Sequence, residues 1–254
     1  MNSELTWMIG GPQGSGVETA ANIFSQVFSK MGYHVFGKRE YYSNIKGEHS
    51  YFAVRISEKK IRSSINGTNI LVAFDAETIF RHADDVLKDG IIIYDSAIEK
   101  SRIKDVFTLD NDFKQRLLEM LRSKNKQDSV KDMLDLASEN GVKTYSVSFR
   151  DTLSEISTQL NNPRLKGMVR MSNTLGVSFS LGMLKAPTQI MHNAIELIFS
   201  KKKAVAELNK QVATFAYNYA SAKFTDVDLL FETREVESNT MLVQGHYGTS
   251  LGKM

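Results

Sequence analysis

The sequence predicts an α/β fold: a mainly parallel sheet flanked by helices on both faces, followed by a helical C-terminal section. Two continuous apolar runs, "NILVAFD" and "IIIYDS", are typical of strands buried on both faces of a sheet. Segments with helical spacing separate the strands, and this strand–helix–strand rhythm favours parallel pairing. After "LNNPRLKG" the pattern is helical almost to Lys223.

The N-terminal third opens the sheet. "LTWMIGG" is predicted as a buried strand, and the apolar spacing from Val17 to Met31 predicts a helix that Gly32 ends. "YHVFGKREYY" and "SYFAVRIS" are predicted as the next two strands. The first strand, its loop and its helix therefore begin a βαβ-like unit.

The middle of the chain continues the same rhythm. "NILVAFD" is followed by a predicted helix from Ala76 to Lys88, which Gly90 ends, and "IIIYDS" is the next strand. The charged region from Ala97 to Gln127 is predicted to be a solvated insertion that covers the sheet. Ser129 is predicted to cap a further helix, and "VKTYSVSF" is the last predicted strand.

Composition narrows the class of protein. The chain has 254 residues, a formal net charge of +3 and 42% hydrophobic residues, so charge alone does not argue for a nucleic-acid partner. No apolar run approaches the ~20 residues that span a bilayer, and the first residues lack a signal peptide pattern, so no membrane association and a cytoplasmic location are expected. Cysteine is absent, which excludes disulfides and an iron–sulfur cluster held by thiolates of this chain.

The stretch "GGPQGSGVETAA" is the candidate binding loop. Glycines before a helix leave backbone N–H groups free and let the chain approach a phosphate closely. A P-loop would need Lys and Ser or Thr where Val17 and Glu18 stand, and the Rossmann glycine order is not met, so neither a nucleotide hydrolase nor a standard NAD site is favoured. A tight turn without a ligand is the alternative. The candidate loop residues are Gly11, Gln13, Gly14, Ser15, Gly16 and Val17.

Two further groups of polar residues are candidates. Lys38 and Arg39 end the second strand, where cations suit a phosphorylated ribose such as that of NADP or coenzyme A, unless both are simply surface residues. Lys46, Gly47 and His49 share the next loop, where His49 beside Glu48 either shuttles protons or makes a local hydrogen bond. Three other histidines (His34, His82, His192) are predicted to be structural, the lysines at 201–203 a solvated helix end, and Met168, Met171, Met183 and Met191 apolar filler.

A set of motifs resembles one family. "GPQGSGV", "GYHVF", "EYYSNIKGEHSYFAVRIS", "MSNTLGVSFSLGML" and "AIELIFSKK" together resemble the gamma domain of the 2-oxoacid:ferredoxin oxidoreductases, over most of residues 4 to 222. Asn173 falls in the fourth motif and is carried over as a binding residue. Lys46 stands where the family usually has Arg, and Glu48 where it usually has a second Gly, so charge is kept but bidentate recognition is lost.

The resemblance implies an enzyme component without catalytic or metal-binding residues of its own. Residues 1–222 would be a gamma domain that binds coenzyme A. Residues 223–254, which end in "MLVQGHYGTSLGKM", would be a linker and the start of a thiamine-binding domain. Thiamine diphosphate, Mg²⁺ and a [4Fe-4S] cluster are then expected on a partner domain or subunit. The implied partners are a thiamine-binding alpha domain, an iron–sulfur beta subunit and ferredoxin.

Two other functions stay open from the residues alone. One is a non-catalytic module that docks subunits through its apolar C-terminal helices while its glycine loop holds nothing. The other is an independent NADP-binding reductase domain.

Overall fold

A computed structural model describes residues 3–41, 47–163, 165, 168, 171–227, 229–236 and 241–245. One six-stranded sheet has the order β2-β3-β1-β4-β5-β6. β1, β4, β5 and β6 are parallel, whereas β3 runs antiparallel between β1 and β2. The strands are β1 (Glu4–Pro12), β2 (His34–Tyr41), β3 (His49–Ser57), β4 (Thr68–Ala73), β5 (Val86–Asp95) and β6 (Lys143–Val147).

Helices cover both faces of the sheet, which confirms the predicted fold class. α1, α5, α6, α7 and α8 pack on one face, named here the first face, and α2, α3 and α4 pack on the second face. The helices are α1 (Val17–Lys30), α2 (Ala76–His82), α3 (Asn111–Ser123), α4 (Val130–Glu139), α5 (Phe149–Gln159), α6 (Ser172–Met183), α7 (Thr188–Ile198) and α8 (Lys203–Lys223).

Alternation along the strands builds two separate cores. On the first face Trp7 is fully buried, its ring stacks on Phe24 at a centroid distance of 4.4 Å, and its Nε1 donates to Ser180 Oγ at 2.9 Å. On the second face Leu71 and Leu121 lie in a smaller apolar cluster beneath α2, α3 and α4. The charged insertion therefore covers the sheet as predicted, because α3 buries its apolar side.

The prediction around Gly90 is wrong. α2 ends at His82 instead of Lys88, and β5 already begins at Val86. The residues after Val86 are polar or exposed, Asp89 has a φ of 63°, and the β4–β5 register shifts between Thr68 and Ile70. The exposed, irregular start of β5 is as polar as the last turn of a surface helix. The sequence pattern therefore predicts a helix where the strand begins.

The segment after α8 packs back on the domain. Phe224 contacts Tyr145 of β6 at a centroid distance of 4.4 Å, and Asp226 accepts a hydrogen bond from the Tyr145 hydroxyl. Further along, Phe231 meets Phe28 edge-on at 5.6 Å, and the Arg234 N–H donates to Met31 O at 2.8 Å. The start of the predicted linker is therefore anchored at both ends of the first face. Within the described ranges no helix combines the length and apolarity needed to cross a bilayer.

Candidate functional site

The loop between β1 and α1 is the centre of the candidate site. Gly14 and Gly16 have φ values of 95° and 93°, a region that residues with a Cβ rarely adopt. A Cβ on Gly16 would lie 2.4 Å from Asn173 Nδ2, so α6 packs directly on the loop. The glycines are therefore required both by the backbone conformation and by the close approach of a second helix.

The loop lies at the topological switch point of the sheet. β1 and β4 are parallel neighbours, yet α1 returns along the first face and α2 along the second. The loops that follow β1 and β4 therefore diverge at the same edge of the sheet. Between these two segments the Phe74 N–H donates to Gly10 O at 3.0 Å. Open α/β sheets bind ligands in the crevice at this kind of position.

A cavity of about 410 Å³ opens beside the loop on the first face. Its walls come from the glycine loop, from the start of α6 and from the start of α8. The lining combines polar side chains with apolar ones, among them the thioethers of Met168 and Met171. The lining residues are Gly14, Ser15, Gly16, Thr19, Met168, Met171, Asn173, Phe199, Lys202, Val205 and Asn209.

Three helix starts at this cavity lack side-chain caps. α1 begins after Gly16, α6 after Met171 and α8 after Lys202, and none of these three N-cap residues provides a side-chain cap. The first N–H groups of a helix have no partner within the helix, and its N-terminus carries partial positive charge. Converging helix starts therefore favour a negatively charged ligand in the cavity.

Two side chains strengthen that electrostatic preference. Ser15 Oγ is buried and has no hydrogen-bond partner among the described residues. Lys202 is exposed and makes no ion pair within the part of the chain that the structure describes. A buried hydroxyl and an available ammonium group are suited to phosphate oxygens.

A polar network holds the floor of the cavity. Asn173 Nδ2 lies 3.5 Å from Gly16 O, and its Oδ1 accepts from the Thr174 N–H at 2.8 Å. The Thr174 hydroxyl donates to Asn209, whose Nδ2 donates to Val205 O at 2.8 Å. These bonds tie the loop, α6 and α8 into one rigid unit.

The structure brings part of the predicted set together. Gly14, Ser15, Gly16 and Asn173 line the cavity. Three others support the loop from behind. Gly11 packs against Phe74, Gln13 bonds to the turn before β3, and Val17 is buried in the first core.

Lys38 and Arg39 are not brought to the cavity. Lys38 forms an ion pair with Glu40, and Arg39 NH1 lies 2.7 Å from Glu18 Oε2. Both cations lie on the edge strand β2, and Arg39 lines a separate groove beside α1. Gly47 is exposed in the turn before β3, whereas Lys46 lies outside the described residues.

His82, which the sequence predicts to be structural, has a buried partner in His49. His49 is the first residue of β3 and is 1% exposed, and its Nε2 lies 3.0 Å from His82 Nε2 at the end of α2. Burial, followed by the charges of His82 and Arg81, lowers the pKa of His49 from its ordinary value of 6.5 to about 3. His49 is therefore neutral at physiological pH. His192 also has a partner, Thr214 Oγ1 at 2.8 Å.

Lys202 is the site residue that the sequence pattern assigned to solvent. It lies at the start of α8, where a lysine opposes the partial positive charge of the helix. Three consecutive lysines at a helix N-terminus are therefore an unfavourable arrangement by themselves. That conflict is the signal in the sequence that could have identified an anion site here.

The described residues contain no group of three or more His, Asp or Glu side chains arranged to hold a metal ion. The fold and the site together define an open α/β domain with a glycine loop at its switch point and an anion-favouring cavity beside it.

The chain belongs to a family with this architecture. The sequence profile described as "Pyruvate ferredoxin/flavodoxin oxidoreductase" matches residues 6–219. Curated relatives include the 2-oxoacid:ferredoxin oxidoreductase 1 subunit alpha of Sulfurisphaera tokodaii, 33% identical over 98% of this chain. The subunit alpha of Saccharolobus solfataricus is 37% identical over 84% of this chain. The chain spans 38% and 33% of the length of these two relatives.

Solved structures share the fold. The 2-oxoglutarate:ferredoxin oxidoreductase of Magnetococcus marinus, with 2-oxoglutarate, coenzyme A and succinyl-CoA bound, has a TM-score of 0.64 at 15% identity, covering 92% of this chain and 34% of its own. The gamma subunit of a keto/oxoacid ferredoxin oxidoreductase from Geobacter sulfurreducens has a TM-score of 0.56 at 15% identity, covering 87% of this chain and 98% of its own.

Proposed function

We propose that this chain is the coenzyme A-binding, gamma-type domain of a 2-oxoacid:ferredoxin oxidoreductase. Residues 1–222 form that domain, and residues 223–254 are the linker and the start of a thiamine-binding domain. Family membership supports the reaction class, and the similarity to a gamma subunit over nearly its whole length supports the domain assignment. The curated relatives are longer alpha subunits, which supports a fused arrangement.

The cavity at the glycine loop carries the proposal. Coenzyme A has a pyrophosphate, a phosphorylated ribose and a long, weakly polar pantetheine arm. Free helix N–H groups, Ser15 and Lys202 would hold the phosphates, while Met168 and Met171 would contact the arm. Asn173 would fix the loop in its binding conformation through Gly16.

Lys38 and Arg39 belong to the proposal as a second group of phosphate ligands. Both are already paired with carboxylates, so either cation would have to exchange Glu40 or Glu18 for a phosphate. Lys46, Gly47 and His49 are also proposed to contribute to coenzyme A binding, Gly47 and His49 through the turn that bonds to the glycine loop. Lys202 therefore takes the role of the first cation that a phosphate meets.

The remaining chemistry is assigned to partners. Thiamine diphosphate with Mg²⁺ on a neighbouring domain would supply decarboxylation, and a [4Fe-4S] cluster on a beta subunit would pass electrons to ferredoxin. This sequence contributes no cysteine to such a cluster. Its own residues bind and orient the thiol carrier, which converts an encounter between two substrates into a reaction within one complex.

The test is calorimetric titration of coenzyme A into the assembled enzyme. Ser15→Arg fills the loop side of the cavity and should lower affinity at least tenfold, equivalent to about 1.4 kcal/mol. Ser123→Arg is the matched control, because Ser123 is exposed at the end of α3 on the second face, and it should bind coenzyme A normally.

The same titration separates the alternatives. Unchanged affinity in Ser15→Arg with normal assembly would leave the docking module as the better description. Tight binding of NADP with nicotinamide-linked activity would favour the reductase instead. The family match favours neither alternative.

A further inference from the structure

A buried histidine pair lies directly behind the glycine loop, on the opposite face from the cavity. His49 and Tyr51 point to the second face, and His82 ends α2 on that face. The two imidazole rings lie 5.2 Å apart between centroids and are nearly parallel, with an interplanar angle of 27°. Their Nε2 atoms are 3.0 Å apart. Neither residue touches the cavity, so any role in binding must act through the loop.

One tautomer fits both contacts of this pair. Asp85 Oδ2 lies 3.4 Å from His82 Nδ1, and a carboxylate only accepts, so this contact favours a proton on Nδ1. In that tautomer His82 Nε2 accepts and His49 Nε2 donates. Several charged or titratable groups surround the pair. Asp75 precedes α2, Arg81 lies within it and Asp85 follows it, while Tyr51 lies on β3 and Glu40 on β2.

Backbone hydrogen bonds connect the pair to the binding loop. His49 lies opposite Pro12 in the β1–β3 ladder. One step further, the Gln13 N–H donates to Glu48 O at 2.6 Å, and the Gly47 N–H donates to Gln13 O at 3.2 Å. Residues 47 and 48 therefore clasp Gln13, the first residue of the loop proper, and His49 is the next residue along the chain.

We infer that His82 is a positioning residue for the glycine loop, because its hydrogen bond to His49 fixes the turn that clasps Gln13. The contacts lead from His82 of α2 to His49, then through the turn at residues 47 and 48 to Gln13. A loop held this way presents its N–H groups to the cavity in one geometry, which raises affinity by removing the cost of ordering. The inference rests on the proposed function only for the identity of the ligand.

The assembled enzyme is compared in three forms: wild type, His82→Phe and His82→Gln. Phenylalanine keeps the ring and its packing on Tyr51 but removes the hydrogen bond, whereas the glutamine amide restores an acceptor for His49. In His82→Phe, amide hydrogen exchange at Gln13 and Gly47 should accelerate, and the KM for coenzyme A should rise about fivefold with kcat unchanged. His82→Gln should recover most of both values.

The control is His192→Gln on α7. His192 is also half-buried and hydrogen-bonded, to Thr214, but it lies away from the loop. It should leave exchange at Gln13 and the KM at wild-type values. If His82→Phe does not fold, His82→Asn replaces it, because the shorter amide does not reach His49.

The outcomes are distinct. Wild-type exchange at Gln13 in His82→Phe, or equal effects in His192→Gln, would overturn the inference. A kcat loss without a KM change would overturn it as well. If wild-type enzyme fails to bind coenzyme A, the proposed function falls, while the exchange rates still decide whether His82 holds the loop.

Discussion

Helix starts differ between two regions of this molecule. The helices α2, α3, α4 and α5 are each capped by their own side chain, from Asp75, Asp110, Ser129 and Ser148. The three helices that begin at the cavity, α1, α6 and α8, have no such cap. α5 packs on the same face as these three and is capped, so a position on the first face does not by itself remove the cap. α7 also lacks a side-chain cap, after Pro187, away from the cavity.

This difference separates helix starts that the protein caps with its own side chains from helix starts whose N-termini remain available to a ligand. A side-chain cap contributes about 1 kcal/mol, so its absence at three converging helices costs stability. Lys202, placed against the dipole of α8, adds to that cost. Binding sites commonly show this exchange of stability for function.

The largest expected difference lies in the cores. Trp7→Ala removes a fully buried ring stacked on Phe24 and should lower the free energy of unfolding by about 3–5 kcal/mol. Leu121→Ala in the second core should cost less, about 2–3 kcal/mol, because less apolar surface is lost. Urea unfolding of both variants measures the two values. A larger loss in Leu121→Ala would show that the second face carries more of the stability.

Acidification should lower the free energy of unfolding through His49 on the second face. Its pKa lies near 3 in the folded chain and near 6.5 when unfolded, so below pH 6.5 the unfolded state binds the extra proton. Stability should therefore fall as the pH drops from 6.5, by up to about 3 kcal/mol at pH 4. Thermal unfolding across this range should show the slope in wild type and a flatter one in His49→Gln. Equal slopes would contradict the assigned burial effect.

The smallest effects test the caps directly. Ser129→Ala removes the cap of α4 and should destabilise by about 1 kcal/mol without altering coenzyme A affinity. Lys202→Ser supplies a cap to α8 and should stabilise by about 0.5–1 kcal/mol while weakening coenzyme A binding. Chemical unfolding and calorimetry on the same two variants give both quantities. Stabilisation without loss of affinity would remove Lys202 from the site.

Most strands could be predicted because their signals are local. Buried runs such as "NILVAFD" depend only on apolar content, and the α1 stripe only on its spacing. The boundary between α2 and β5 could not be found, since the irregular start of β5 is set by its pairing with β4 at Val86, before a register shift that leaves Asp89 and Gly90 out of the ladder. Long-range pairing decides that boundary, and no short window of sequence contains it.

The site divides in the same way. The glycine loop and Asn173 could be found from motifs, because close backbone contact at Gly16 demands particular residues. The His49–His82 pair could not, since it depends on which distant elements meet. For Lys202 the local signal is the unfavourable placement of lysines at a helix start, but its position at the cavity depends on how α8 packs. Lys38 and Arg39 were predicted from their position along β2, but each is paired with a carboxylate, Lys38 with Glu40 of the same strand and Arg39 with Glu18 of α1.

Sulfur chemistry follows from the way the cavity is lined. The chain has no cysteine, so the thiol of a bound coenzyme A would meet no second thiol from this sequence with which to exchange or form a mixed disulfide. The cavity wall carries thioethers instead, from Met168 and Met171. Oxidants would convert these two side chains to polar sulfoxides and make this part of the wall more polar, a form of damage that methionine sulfoxide reductases reverse.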